Sequence, residues 1–230
     1  MAFNFEYYTP TRIIFGRNTE DQVADLIKRY GGSRVLLHYG GQSAVRSGLI
    51  ERVKKSLDEA GLFHVELGGV VPNPRLSKVR TGVGLGNLNQ IDFLLAVGGG
   101  SVIDSAKAIA YALAEPNEDV WDLYARKRQA KACLPVGVVL TIAAAGSEMS
   151  NSSVITNDET YTKRGYSNNL SRPKFAIMNP ELTLTLPDYQ TACGCVDIMM
   201  HTMERYFTNG GNMEITDNIA EGLMRTVIHN

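Results

Sequence analysis

Residues 92–110 have the sequence DFLLAVGGGSVIDSAKAIA, and this stretch decides the fold. Asp92–Val97 is a mostly apolar run, which is typical of a buried strand. Three glycines follow it, and Ser101–Ala114 then carries its apolar residues at helical spacing. A buried strand that ends in glycines and leads directly into a helix is the repeating unit of parallel sheets. The centre of the chain is therefore predicted to be a strand, a glycine turn and a helix.

The same alternation of apolar runs and helical spacing extends to both sides of this stretch. The predicted strands are Arg34–Tyr39, Phe63–Leu67 and Leu134–Leu140, and the predicted helices are Ser47–Ala60 and Pro74–Leu88. Continuous apolar strands that alternate with helices predict an α/β fold, with a Rossmann-like parallel sheet covered by helices on both faces. In such sheets a ligand binds at the carboxyl ends of the strands.

The pattern changes after about residue 145. Residues 146–180 mix polar residues and glycine with short extended pieces, and from Tyr189 onward the spacing is helical, with Asp188 as the expected N-cap. We therefore expect two domains: an α/β domain over residues 1–187 and the beginning of an all-helical domain over residues 188–230. Because the predicted helix Ile215–His229 has no capping signal after it, the natural chain is expected to continue beyond Asn230.

Composition and charge narrow the functional class. The 230 residues carry 23 Lys+Arg and 24 Asp+Glu, so no net charge attracts the chain to nucleic acid or to an anionic membrane. The longest nearly apolar run is Val136–Gly146, whereas a membrane span needs about 18 residues. The N-terminus has no signal-peptide pattern, and three cysteines cannot all pair. A cytoplasmic protein without nucleic-acid or membrane partners is expected.

The glycine turn after the central strand is a candidate anion site. Gly98, Gly99 and Gly100 allow a phosphate to approach the backbone closely, and the helix that follows offers free N–H groups and a partial positive charge. Ser101 adds a hydroxyl, and Asp104 is expected to cap the helix or to bond a ligand. The alternative is a tight strand–helix turn that binds nothing.

A second glycine cluster is interpreted as structural. Gly82, Gly84 and Gly86 are one residue short of the dinucleotide-binding G-x-G-x-x-G pattern and do not follow an apolar strand. They lie inside a segment of helical spacing, where each glycine costs roughly 1 kcal/mol relative to alanine. We predict a weak helix here and no cofactor site.

Asp197 and His201 are the candidate metal ligands. Their i, i+4 spacing places a carboxylate and an imidazole on one face of the helix that begins near Asp188. An ordinary side-chain pair is the alternative interpretation. Zinc or ferrous iron takes about four ligands, so these two residues alone do not make a site.

Taken together, these motifs resemble the iron-containing (group III) alcohol dehydrogenases, and most closely their NADPH-dependent butanol dehydrogenase and aldehyde reductase branch. The segments GGGSVIDSAK (98–107) and D-x-x-x-H (197–201), at this separation, are the most specific part of the resemblance. Further matching segments are PTRIIFGR (10–17), LLHYGGQSAVRSG (36–48), NPRLSKVR (73–80), PVGVVLTIAAAGSEMSNSSVI (135–155) and PKFAIMNPELTLTLP (173–187). One departure is Ala145, because the family usually has threonine there.

The resemblance implies an N-terminal NAD(P)-binding domain, a C-terminal helical metal-binding domain and a substrate cleft between them. It places the cofactor pyrophosphate and nicotinamide ribose at the glycine turn, and the adenine ribose at the turn that follows Arg34–Tyr39. The cofactor-binding residues implied in this way are Gly40, Gly41, Ser43, Gly98, Gly99, Gly100, Ser101, Asp104, Thr141, Ser147, Asn151, Lys163 and Leu182.

The resemblance also implies the activity: hydride transfer between NADP(H) and a short-chain alcohol or aldehyde, in a homodimer. NADPH is favoured over NADH because the loop Tyr39–Ser43 lacks the acid that would repel a 2′-phosphate. The metal, Fe²⁺ or Zn²⁺, is implied to use Asp197 and His201, with two more histidines and the proton-relay histidine beyond Asn230. Two alternatives stay open: a nucleotide-binding fragment without turnover, and a glycerol or polyol dehydrogenase.

Overall fold

The computed structural model describes residue 4, residues 6–208, residue 211 and residues 213–230. A six-stranded sheet with helices on both faces forms its main body, and an antiparallel strand pair and two C-terminal helices complete the structure. Within the described ranges, no helix is both long and apolar enough to cross a membrane.

The helices and strands follow one another in an α/β order. The strands are β1 (Arg12–Phe15), β2 (Arg34–Tyr39), β3 (Phe63–Leu67), β4 (Phe93–Gly98), β5 (Val136–Leu140), β6 (Ser152–Asn157), β7 (Thr162–Ser167) and β8 (Phe175–Met178). The helices are α1 (Val23–Arg29), α2 (Gln42–Arg46), α3 (Leu49–Glu59), α4 (Leu76–Leu88), α5 (Gly100–Ala114), α6 (Trp121–Tyr124), α7 (Asp188–Tyr206) and α8 (Glu214–His229). Short 3₁₀ helices cover Thr19–Gln22, Asn169–Ser171 and Pro180–Thr183.

The large sheet is parallel throughout and has the order β1-β8-β5-β4-β2-β3. The chain runs from β2 outward to β3 and then crosses back to form β4 on the other side of β2, so the order reverses between β2 and β4. Tyr39 at the end of β2 lies opposite Val97 near the end of β4. The turns that follow these two strands therefore lie side by side, at the point where ligands bind to sheets of this kind. The predicted parallel α/β sheet is confirmed.

Both faces of the sheet are buried, which explains the continuous apolar strands. All six residues of β4 are buried. Leu94 and Ala96 face one side and pack in the cluster that contains Ile103 of α5. Phe93 and Leu95 face the other side, in the cluster that includes α1 and α3. Each fully buried Leu or Phe contributes about 1.5–3 kcal/mol, so β4 is the centre of the hydrophobic core.

Three local predictions need correction. The predicted helix Ser47–Ala60 is α3 and begins at Leu49, because Gly48 takes a left-handed conformation (φ 71°) that separates it from α2, a short helix that the sequence analysis did not predict. Pro187, not Asp188, is the N-cap of α7, and no side chain caps that helix. The first strand, β1, had not been predicted as a separate element. It lies at the edge of the sheet with exposed side chains, so it lacks the buried apolar pattern.

The glycines of α4 pack this helix closely against its neighbours. A Cβ on Gly82 would lie 2.4 Å from Ile109 Cδ1, and a Cβ on Gly86 would lie 2.6 Å from Leu113 Cδ1. Gly84, which points the other way, has nothing within 4 Å of its Cβ position. The interpretation of this cluster as helical and structural agrees with the geometry, since two of the three glycines are needed for the contact between α4 and α5.

Candidate functional site

The glycine turn after β4 forms the N-terminus of α5 and packs closely against Ile142. Gly99 is the N-cap of α5, and its carbonyl accepts the N–H groups of Val102 (3.0 Å) and Ile103 (3.2 Å). A Cβ on Gly99 would lie 2.5 Å from Ile142 Cγ2, so this position has no room for a side chain. The first amides of a helix have no partner within it, and they attract an anion. Gly40 and Gly41 follow the neighbouring strand β2. Two glycine turns therefore lie side by side at the switch point, which is the position where the strand order reverses between β2 and β4.

A cavity of about 480 Å³, here called the Ser43 cavity, opens beside these turns. Three residues assigned to the cofactor, Ser43, Thr141 and Leu182, lie on its wall although they come from three separate parts of the chain. Thr141 N–H donates to Gly98 O (3.2 Å), which joins this cavity to the glycine turn. The wall also includes Arg52, Glu20 and Glu181, three charged residues that the sequence did not single out.

A second cavity of about 510 Å³, here called the His201 cavity, lies between the α/β body and the helices α7 and α8. Its lining brings Asp104 and Ser147, two predicted cofactor residues, together with His201, a predicted metal ligand. Asp197 does not belong to this lining. The cavity is nevertheless where the predicted cofactor and metal residues meet.

Asp104 holds the loop after β5 instead of capping α5. Its carboxylate accepts the Ser147 hydroxyl (2.6 Å) and the Val154 backbone N–H (3.0 Å). Burial raises the pKa of this carboxyl above its usual range, and the two hydrogen bonds and Lys107 oppose that shift. The expected capping role is wrong, because Asp104 lies one turn beyond the helix start. Its cofactor role stays a prediction.

Lys107 is the functional candidate that sequence reasoning missed. Its side chain is fully buried, and Nζ donates to the carbonyls of Ser147 (2.7 Å), Ser150 (2.8 Å) and Ser152 (2.9 Å). Burial lowers the pKa of this amine to about 8. A lysine on an otherwise apolar helix face, three residues after Asp104, was the available signal. It anchors the loop that carries two predicted cofactor residues.

Asn151 and Lys163, two further predicted cofactor residues, lie outside both cavities. Asn151 lies in the loop held by Lys107, and its side-chain amide donates to Asn169 Oδ1 (3.1 Å). Lys163 on β7 donates from Nζ to Asn73 Oδ1 (2.6 Å). Their assignment to the cofactor stays a prediction, as does that of Ser101 at the start of α5.

The predicted metal ligands face each other on α7. His201 Nε2 lies 3.7 Å from Asp197 Oδ1, and both side chains are almost half exposed. Glu204 approaches the other ring nitrogen at 3.9 Å. One oxygen and one nitrogen donor fit two positions around Fe²⁺ or Zn²⁺. Among the described residues, no group of three or more His, Cys, Asp or Glu side chains is placed to hold an ion.

This combination of fold and site defines a class: a Rossmann-like α/β domain with glycine turns at the point where its strand order reverses, followed by a helical segment. The family model for iron-containing alcohol dehydrogenase matches residues 10–180. The chain belongs to the iron-containing alcohol dehydrogenase family.

Relatives of known name match almost the whole chain. The probable NADH-dependent butanol dehydrogenase 2 of Bacillus subtilis (strain 168) is 49% identical over 98% of this chain and 57% of its own length. The NADPH-dependent aldehyde reductase YqhD of Escherichia coli (strain K12) is 39% identical over 98% and 58%. The crystal structure of NADH-dependent butanol dehydrogenase A from Thermotoga maritima superposes with a TM-score of 0.94 at 43% identity, over 98% of this chain and 56% of that one. The chain therefore spans a little over half the length of these relatives.

Proposed function

We propose that the whole protein transfers a hydride between NADP(H) and a short-chain alcohol or aldehyde, and that the present chain holds the cofactor. The observation that carries this proposal is the meeting of two glycine turns at the point where the strand order reverses, in a member of this family. A bound nicotinamide supplies the hydride donor or acceptor, and the protein supplies position and polarity.

Each part of the cofactor has a place that suits its chemistry. The free amides at the start of α5, with the Ser101 hydroxyl, would hold the pyrophosphate. Ser43 and Leu182 would surround the adenosine in the Ser43 cavity. The family resemblance implies that Thr141 lies on the nicotinamide side, but Thr141 lines the same cavity as Ser43 and would therefore be close to the adenosine. Ser147 would lie on the nicotinamide side, where Asp104 fixes the direction of its hydroxyl. The close packing at Gly99 supports this arrangement, because a side chain there would meet Ile142.

The proposed metal role of Asp197 and His201 is partial. These residues would hold Fe²⁺ or Zn²⁺ together with further ligands that the whole protein supplies. The present chain spans a little over half the length of the relatives. A Lewis-acidic ion polarises the substrate oxygen when it is bound. The position of His201 in the cavity that also contains Asp104 and Ser147 supports this role.

NADPH is the proposed preferred cofactor, because the loop after β2 (residues 39–43) contains no acidic residue. The names of the relatives leave this choice open, since the Bacillus subtilis protein is called NADH-dependent and the Escherichia coli protein NADPH-dependent. The two nicotinamide cofactors must therefore be compared directly in binding and in turnover.

Cofactor binding is tested by adding a negative charge at the start of α5. Ser101→Glu should lower the affinity of the 230-residue chain for both NADPH and NADH at least tenfold, measured by titration calorimetry. Because an acidic side chain in the first turn stabilises a helix, the loss cannot come from unfolding of α5. Thr216→Glu adds the same charge to the first turn of α8 and should leave both affinities unchanged. Equal affinity in Ser101→Glu and the parent chain would contradict the proposed pyrophosphate site.

Turnover is tested on the full-length protein. After loading with Fe²⁺ or Zn²⁺ it should oxidise NADPH with butanal or another short aldehyde. The competing proposal is a nucleotide-binding chain without turnover. NADPH binding without aldehyde reduction by the metal-loaded full-length protein would decide for that alternative.

Two further proposals concern assembly and location, the first from the family resemblance and the second from the cysteines. A homodimer is proposed, and the edge position of β1, with Phe15 73% exposed, supports a role for this strand in the contact. A reducing, cytoplasmic location is proposed from the cysteines, all three of which are free. Light scattering after size-exclusion chromatography tests the first proposal, and subcellular fractionation tests the second.

A further inference from the structure

We infer that Arg52, restrained by Glu20, is the residue that recognises the 2′-phosphate of NADP(H). This inference rests on the proposed placement of the adenosine in the Ser43 cavity. Arg52 lies on α3 and not in the loop Tyr39–Ser43, whose lack of an acidic residue predicts NADPH over NADH.

The position of Arg52 brings a permanent cation to the cavity wall beside α2. Its Nη1 donates to Ser47 O (3.2 Å), and Ser47 N–H in turn donates to Ser43 O (3.0 Å), so Arg52 bonds a residue that lies one helical turn from Ser43. Both serines line the Ser43 cavity with Arg52. The guanidinium has five N–H donors in a planar fork that suits a phosphate, and it stays charged at all working pH values.

Glu20 holds the Arg52 guanidinium in place from the buried side of the ion pair. Its carboxylate is 4% exposed and lies 3.2 Å from Arg52 Nη2, while the Arg52 side chain is 46% exposed. The other carboxylate oxygen accepts the Asn179 side-chain amide at 2.9 Å. The buried negative charge is therefore offset by two donors, and the cation is the end of the pair that solvent and ligand can reach.

The same pair also limits how strongly a phosphate would bind. A 2′-phosphate bound at Arg52 would also be repelled by the negative charge of Glu20, because the Glu20 carboxylate lies only 3.2 Å from the Arg52 guanidinium. Removal of the cation should therefore disfavour the 2′-phosphate, and neutralisation of the carboxylate should favour it. These two opposite effects distinguish charge recognition from a general loss of structure.

The test compares two fragments of the cofactor, adenosine 2′,5′-bisphosphate and adenosine 5′-monophosphate, by titration calorimetry on the 230-residue chain. The measured quantity is the ratio of the two affinities within each variant, which a change in the folded fraction does not alter. Arg52→Gln should lower the preference for the bisphosphate about tenfold, which is the loss of one charge-assisted hydrogen bond. Glu20→Gln should raise the preference, and Arg52→Lys should keep most of it.

Lys55→Gln is the matched control, because it removes the same charge from an exposed position of α3 outside the Ser43 cavity. Its affinity ratio should equal that of the parent chain. An unchanged ratio in Arg52→Gln, or an equal fall in Lys55→Gln, would overturn the assignment of Arg52 while the proposed function stands. Failure of the parent chain to bind either fragment would overturn both.

Discussion

At the scale of single residues, the site depends on buried polar side chains that organise loops. Asp104 and Lys107 lie three residues apart on α5, and both reach the segment 147–154. A buried ammonium with three carbonyl partners is stable only when those partners stay in place, and the loop carbonyls in turn lose their donors without it. The two side chains therefore couple the helix of the glycine turn to the loop that carries Ser147 and Asn151.

Lys107→Met tests this coupling. The substitution keeps the length of the side chain but removes three hydrogen bonds of an ammonium group, so the free energy of unfolding should fall by about 3 kcal/mol. Amide hydrogen exchange in residues 146–152 should also accelerate. Lys127→Met removes a solvent-exposed lysine that pairs only with Asp122 and should change stability by less than about 0.5 kcal/mol. Unaltered exchange in the loop of Lys107→Met would argue against the anchoring role.

At the scale of secondary-structure elements, close packing of α4 on α5 positions the glycine turn. Gly82 is buried against Ile109, whereas Gly84 is exposed on the opposite side of α4. Helix propensity favours alanine at both positions by about 1 kcal/mol, but only one of them has room for a methyl group. The same chemical change is therefore expected to have opposite effects on one helix.

The prediction for this helix uses that contrast. Gly84→Ala should raise the free energy of unfolding by up to about 1 kcal/mol, because it lowers the entropy of the unfolded chain without a new contact. Gly82→Ala should lower it by about 1–3 kcal/mol, because the new Cβ would lie 2.4 Å from Ile109 Cδ1 and 2.9 Å from Leu67 Cδ2. Chemical denaturation of both variants measures the difference. A higher free energy of unfolding in Gly82→Ala would contradict this prediction, because it would mean that α4 can move away from α5 with little loss of packing energy.

At the scale of the whole molecule, a buried histidine links the stability of the sheet to pH. His38 on β2 is fully buried, and its ring nitrogens lie 2.9 Å from Leu67 O on β3 and 2.9 Å from Ser105 Oγ on α5. Burial lowers its pKa to about 4, from about 6.5 in an unfolded chain. The folded state therefore keeps this imidazole neutral where the unfolded state binds a proton.

The sign of the pH dependence follows from that difference. Above pH 6.5 both states are neutral at His38, and the residue adds no pH dependence. As the pH falls from about 6.5 to about 4, only the unfolded state takes up the proton, so the free energy of unfolding should decrease by up to about 3 kcal/mol. His38→Gln should lack this part of the slope in urea titrations between pH 7 and pH 4. Identical slopes in the two proteins would show that His38 titrates normally in the folded state.

The sequence by itself determined the parallel α/β sheet and the positions of its glycine turns. Period and apolar content predicted β2, β3 and α5 within one residue at either end, because strands buried on both faces and amphipathic helices leave direct patterns. The glycines after β2 and β4 marked the two turns at the point where the strand order reverses. Glycine is required in the turn after β4, where a Cβ on Gly99 would lie 2.5 Å from Ile142 Cγ2.

The tertiary structure alone decided which polar groups meet. Glu20 and Asn179 are 159 positions apart and still share a hydrogen bond, and the Ser43 cavity joins parts of the chain that no local pattern relates. Asp104 was expected either to cap the helix or to bond a ligand, and in the structure it bonds Ser147 and Val154 instead of the helix end, since its partners are fixed by how β5, β6 and α5 pack. Periodicity reports whether a side chain is buried, but the identity of its partner depends on the arrangement of the whole fold.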